Sequence, residues 1–73
     1  MAKILTEVKD SSNIRKIHYN DVTESMEVMF KGGTIYKYEA VPAKIHKYFI
    51  EAASKGKFFS QYIKNSYTGR KIK

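Results

Sequence analysis

The residues with the clearest chemical potential are Tyr36-Lys37-Tyr38, two aromatic rings flanking an ammonium in an alternating run. On an open sheet face such rings stack on unpaired bases while the ammonium binds phosphate, a chemistry suited to single-stranded RNA or DNA. A second cationic set lies downstream: Lys55, Lys57, Lys64, Arg70 and Lys71. These side chains would meet a nucleic-acid backbone through its phosphates, without reading sequence. The two tyrosines join that site only if their rings are exposed. Packed beneath helices with their hydroxyls at the rim, they are core residues instead.

Other chemistries find little support. The chain has no cysteine, so it has no thiolate nucleophile and no disulfide. His18 and His46 are the only histidines. Neither has a neighbouring Ser or Asp in a recognisable nucleophile pattern, and both are expected at the surface or in packing roles. Asp21, Glu24 and Glu27 are spread over a turn and a strand, as solvated charges are. Lys31-Gly32-Gly33-Thr34 lacks the spacing of a phosphate-binding loop and is not followed by a helix. No catalysis, cofactor or metal is expected.

Charge placement points the same way. The formal net charge is +7 over 73 residues. Residues 1–51 hold eight basic and seven acidic side chains, whereas residues 52–73 hold six basic and none acidic. Such asymmetry suits an anionic partner, or else a solvated basic tail that aids solubility. No apolar run approaches the ~20 residues of a membrane span. The N-terminus lacks the apolar core of a signal peptide, so a cytoplasmic location without membrane attachment is expected.

Positioning these residues is the task of a hairpin. Gly32-Gly33 separates two β-prone runs, a hairpin signal. A three-residue loop of Gly32, Gly33 and Thr34 sets Phe30 opposite Tyr36 and Val28 opposite Tyr38, with a glycine supplying positive φ. One face then carries Met26, Val28, Phe30, Tyr36, Tyr38 and Ala40, and the other Glu27, Met29, Lys31, Ile35, Lys37 and Glu39. Upstream, Ile17 and Tyr19 share a strand face, and Ile14 falls off that alternation as a strand entry or bulge. Residues 1–9 alternate weakly and form an edge strand or stay loosely attached. Asp10-Ser11-Ser12-Asn13 has turn chemistry.

Val41-Pro42 ends the hairpin and starts a helix. Ile45, Tyr48, Phe49, Ala52 and Ala53 recur at helical spacing, with Gly56 as C-cap. A shorter helix from Lys57 to Asn65 follows, presenting Phe59, Tyr62 and Ile63. Phe58 cannot share that face with Phe59 and fills a corner or meets a partner. The expected fold is α+β: a three-stranded antiparallel meander with two C-terminal helices packed on one face. A single domain of residues 1–73 is expected, with a core over about 8–67 and a basic tail at 68–73.

These residues resemble a known family. The order Val8, Ser11-Ser12, Ile14, Ile17, Tyr19, Val28, Phe30, Gly33, Tyr36-Lys37-Tyr38, Val41-Pro42, Ala53-Ser54-Lys55-Gly56, Phe59 and Ile63 is similar to that of the KTSC domain. This short module is found alone in bacteria and phages and at the C-terminus of some lysyl-tRNA synthetases. The chain departs from the pattern at His18, where a small residue is usual, at Asn20, where aspartate is usual, and at Phe58-Phe59-Ser60. The synthetase association implies RNA binding. A stand-alone copy also fits a small phage or bacterial protein that binds and regulates a host protein.

The combined expectation is a small non-catalytic nucleic-acid-binding domain, with RNA favoured over DNA. Lys55, Lys57, Lys64, Arg70 and Lys71 contact phosphate, with Tyr36, Lys37 and Tyr38 secondary. The alternative is a protein-interaction module using Met29, Ile35 and Phe58. One substitution separates the two placements of the tyrosines. If Tyr38 is core, Tyr38→Ala costs about 3–5 kcal/mol in thermal or denaturant unfolding, whereas an exposed stacking ring would cost almost nothing.

Overall fold

The computed structural model describes residues 3–9 and 11–73. Asp10, the first residue of the expected turn, lies outside the described residues. Five strands form one antiparallel sheet: β1 (Lys3–Glu7), β2 (Ile14–Asn20), β3 (Ser25–Phe30), β4 (Ile35–Tyr38) and β5 (Gly69–Lys71), side by side in that order. Between β4 and β5 the chain forms helix α1 (Ala43–Glu51) and helix α2 (Lys55–Phe58), which runs on as a π-helical turn over Phe59–Ile63. The fold is α+β with two helices, and the expected three-stranded meander is the middle of a five-stranded sheet.

The two added strands arise differently. β1 pairs along β2 with Leu5 opposite His18 and Thr6 opposite Ile17, so residues 3–7 are the edge strand that the weak alternation allowed. β5 corrects the expected trailing tail. Gly69 lies opposite Tyr38, Arg70 opposite Lys37 and Lys71 opposite Tyr36. Its residues are all exposed. What β5 gains is pairing for the backbone of β4, whose outer N–H and C=O groups would otherwise form a free edge. Beyond it, Ile72 N–H donates to Ile35 C=O (2.9 Å) and Ile35 N–H donates to Lys73 C=O (3.0 Å).

The central hairpin has an odd-length loop, but its register differs from the expected one. Val28 lies opposite Tyr36 and Met26 opposite Tyr38, two residues from the expected pairing. Phe30 N–H donates to Thr34 C=O (2.8 Å), so the loop is Lys31-Gly32-Gly33 and Thr34 belongs to the strand side. Both glycines have positive φ, +142° and +93°. A shift of two residues keeps the side chains of the paired residues of β3 and β4 on their expected faces, whereas Lys31 lies in the loop and Ala40 beyond the strand. Ile14 is the strand-entry residue: fully buried, it pairs with Phe30 across a bulge between Ile14 and Lys16.

The core lies between the sheet and the helices. Ile17, Tyr19, Met26, Val28 and Tyr38 supply the sheet's share, and Phe49, Phe59 and Ile63 the helices'. Val41 is completely buried at the strand-to-helix switch. Its N–H donates to Glu24 C=O (2.8 Å). Glu24 and Ala40 at this end of the sheet both adopt left-handed backbone, φ 57° and 58°, which L-residues other than glycine adopt only at a cost of ~1–2 kcal/mol each.

Helix α1 keeps Phe49 and, partly buried, Ile45 of the expected stripe inward, but His46 takes the place expected of Tyr48. Its buried residues are His46 and Phe49, while Tyr48 is 53% exposed. The helix also ends early. Ala52 returns to extended backbone, with its N–H donating to Phe49 C=O (3.2 Å). Gly56 is therefore no C-cap but sits inside α2, which Ser54 caps by accepting from Lys57 N–H. The Ala52 carbonyl, left without a helical donor, accepts from Lys55 Nζ (3.3 Å). In the second helix Phe59 and Ile63 point inward as expected, and Tyr62 is 54% exposed.

His46 packs flat on Tyr19, centroids 4.4 Å apart and planes 9° from parallel. The Tyr19 hydroxyl donates to Val41 C=O at 2.6 Å. His46 Nε2 is buried without a hydrogen-bond partner among the described residues, and burial holds the imidazole pKa below its usual value of 6.5. The folded state therefore keeps His46 neutral.

Two outcomes follow for stability. The unfolded chain takes up a proton near pH 6.5 that the folded His46 resists, so stability is full above that pH and falls as pH drops below it. Melting curves between about pH 7.5 and pH 5 should show His46→Phe losing less Tm on acidification than the parent. At Gly69 a Cβ would overlap the Tyr38 ring. Gly69→Ala should thus cost about 1–3 kcal/mol, read as a Tm fall of about 4–8 °C per kcal/mol.

Candidate functional site

A broad concavity lies on the helical side, where the hairpin, the β1–β2 turn and the second helix leave a gap. It is a cleft of about 690 Å3. Phe30, Tyr36, Tyr38 and Phe59 line it, with Ser60 and Lys64 from the helix and Lys31 and Thr34 from the hairpin. Backbone and side-chain hydrogen bonds fix these segments. Lys31 N–H donates to Asn13 C=O (2.8 Å), tying the hairpin loop to the β1–β2 turn. Ser11 Oγ accepts from the N–H groups of Asn13 and Ile14 and shapes that turn. The helical wall is the π turn, closed by Lys64 N–H donating to Phe59 C=O at 2.9 Å. Turns of this kind are frequent at functional sites.

The aromatic lining is a connected set of ring contacts. Phe59 meets Phe30 edge-on (5.2 Å) and Tyr38 edge-on (5.7 Å). Tyr36 and Tyr38 lie nearly parallel at 6.5 Å, and Phe30 meets Tyr36 edge-on at 6.0 Å. Tyr38 is only 4% exposed, so it belongs to the floor of the cleft and presents no open platform. Burial, and after it the neighbouring Tyr36, raises the Tyr38 hydroxyl pKa above 10.0, so the hydroxyl stays protonated. Tyr36 is only partly buried and lines the cleft.

The cations that the sequence singles out do not form one ridge. Lys64 is exposed and lines the cleft. Lys71 is exposed and opposite Tyr36, hence on the cleft side of the sheet. Lys57 is exposed on α2. Lys55 is partly buried and engaged with the Ala52 carbonyl. Lys37 and Arg70 lie opposite each other on the other face of the sheet. Sequence reasoning missed Lys31, Thr34 and Ser60. The hairpin loop reads as turn chemistry alone, and nothing in the pattern shows that its lysine meets a cleft shared with residues 60 and 64.

The sheet's other face is not covered by either helix. Leu5, Lys16, His18, Glu27, Met29 and Ile35 share a hollow of about 150 Å3 there. Leu5 is 56% exposed, and Ile72, beside Ile35, is 45% exposed. Phe58 is elsewhere, stacked on Phe49 at 5.6 Å and tilted against Tyr62 at 4.8 Å. Among the described residues no group of three or more His, Asp or Glu side chains is placed to hold a metal. No helix among them is long and apolar enough to cross a membrane.

Comparison with known proteins is consistent across sequence and structure. The family model of the KTSC domain matches residues 10–67. A crystal structure of a KTSC domain protein from Yersinia pestis superposes with a TM-score of 0.88 at 37% identity, covering 99% of this chain and all of that one. An uncharacterised protein of Stutzerimonas stutzeri is 39% identical over 54 residues, 74% of this chain and 76% of its own length. Lysine–tRNA ligases are also similar: that of Trichormus variabilis is 29% identical over 58 residues, 80% of this chain. The match spans only 10% of the ligase.

Proposed function

The chain belongs to the KTSC domain family, and from that membership we propose that it is a small RNA-binding domain without catalytic activity of its own. The observation that carries this reading is the cleft, in which aromatic rings lie beside Lys31 and Lys64. Rings and ammoniums together suit a ligand that is flat and anionic. Lys71 and Lys57, both exposed, extend the cationic surface available to phosphates. The similarity to a segment of lysine–tRNA ligases, proteins whose name includes an RNA substrate, favours RNA over DNA.

Lys37 and Arg70 lie on the opposite face and are not needed for this mode. They share a sheet face with Met29, Ile35 and, two strands beyond Met29, the exposed Leu5. That mixture of apolar and charged side chains favours a second reading, in which the uncovered sheet face meets a partner protein.

Fluorescence anisotropy with labelled single-stranded RNA and duplex DNA, across a salt series, tests the RNA reading. Three to four phosphate contacts on a single strand predict a log–log salt slope of about −2 to −3. Lys64→Gln should reduce that slope by about 0.7 and weaken binding to all sequences alike. A flat baseline at physiological salt would remove the RNA reading and leave the protein-binding face as the one to pursue.

A further inference from the structure

The cleft is larger and more aromatic than phosphate contact requires. Its volume of about 690 Å3 falls within the ~300–1,000 Å3 of sites that enclose small organic ligands. No acidic side chain is among its lining residues, and two lysines are. Inorganic phosphate would engage Lys31 and Lys64 but leave the rings without a partner. A purely apolar ligand would leave the ammoniums unused. A ring bearing a phosphate uses both.

We infer that the cleft receives one unstacked nucleotide, with its base against Tyr36 and its phosphate held by Lys31 and Lys64. This rests on the RNA reading above and adds to it a pocket for a single base. Stacking on an aromatic side chain is how proteins hold bases splayed from a single strand. Ser60 and Asn13, also in the lining, supply a hydroxyl and an amide able to hydrogen-bond a base edge. The π turn contributes by carrying Phe59, Ser60 and, at its end, Lys64 into one wall. Ring, hydroxyl and charge thus come from a single short segment.

The test is an NMR titration of the full chain, following backbone amides, with adenosine and uridine 5′-monophosphates and with inorganic phosphate. Saturable shifts at Lys31, Thr34, Tyr36, Ser60 and Lys64 are expected with the nucleotides. Inorganic phosphate should bind about tenfold or more weakly, the scale of one stacked base. Ser60 is exposed, so Ser60→Trp should fill the cleft with little change in Tm, abolish the nucleotide shifts and weaken single-stranded RNA binding. Should Ser60→Trp lower Tm, Lys64→Gln serves in its place and should weaken nucleotide and phosphate together. Equal binding of phosphate and nucleotide, or RNA binding that Ser60→Trp leaves intact, overturns the base pocket while RNA binding stands. Nucleotide shifts in the cleft without any RNA binding overturn the RNA reading and leave a site for a free nucleotide.

Discussion

The ring of Phe59 is the contact on which the architecture depends. It lies edge-on against Phe30 and Tyr38 from the hairpin and beside Phe49 from α1. Through it the hairpin, the first helix and the second helix share one aromatic cluster. A 73-residue chain without disulfides has few other ways to hold three elements together. The same ring lines the cleft. Stability and the candidate site are therefore not separable at this position. A change that empties it loosens the helix layer and reshapes the cavity at once.

Much of this was legible in the sequence, and the failures have physical causes. The two faces of the hairpin followed from strict alternation, and alternation survives a two-residue error in register. The exact pairing did not follow, because Lys31 rather than Thr34 completes the loop, and side-chain pattern says nothing about which end of a Gly-Gly pair the turn takes. Helix α1 was legible as a helix but not in every residue it turns inward. Hydrophobic patterning scores histidine as polar and tyrosine as apolar, whereas here His46 stacks inside and Tyr48 faces water. β5 was invisible, since Gly69-Arg70-Lys71 is held by its backbone and buries no side chain. The cleft was hidden for another reason: its walls come from residues 12–14, 30–38 and 56–69, and only the folded chain brings them together.

The cationic stretch of residues 52–73 is also not what its composition suggests. Six basic residues without an acid look like one electrostatic surface, yet strand geometry divides them. Consecutive residues of β5 point to opposite faces, so Arg70 joins Lys37 while Lys71 joins Tyr36. Lys55 serves a helix end. A net charge is thus a property of the chain, but a binding surface is a property of the register, and a one-residue change in β5 would exchange the two faces' cations.

The backbone of β5 has a consequence of another kind. As the last strand of the sheet it turns an unpaired rim outward, and such rims invite copies of the same protein to add on as further strands and grow into fibrils. Here the rim is three residues long and carries Arg70 and Lys71, with Lys73 just beyond. Like charges brought into line by edge-to-edge growth would repel, and a rim so short offers little pairing in return. Shortness and like charge in β5 thus both oppose edge-to-edge growth, whatever ligand its neighbours bind.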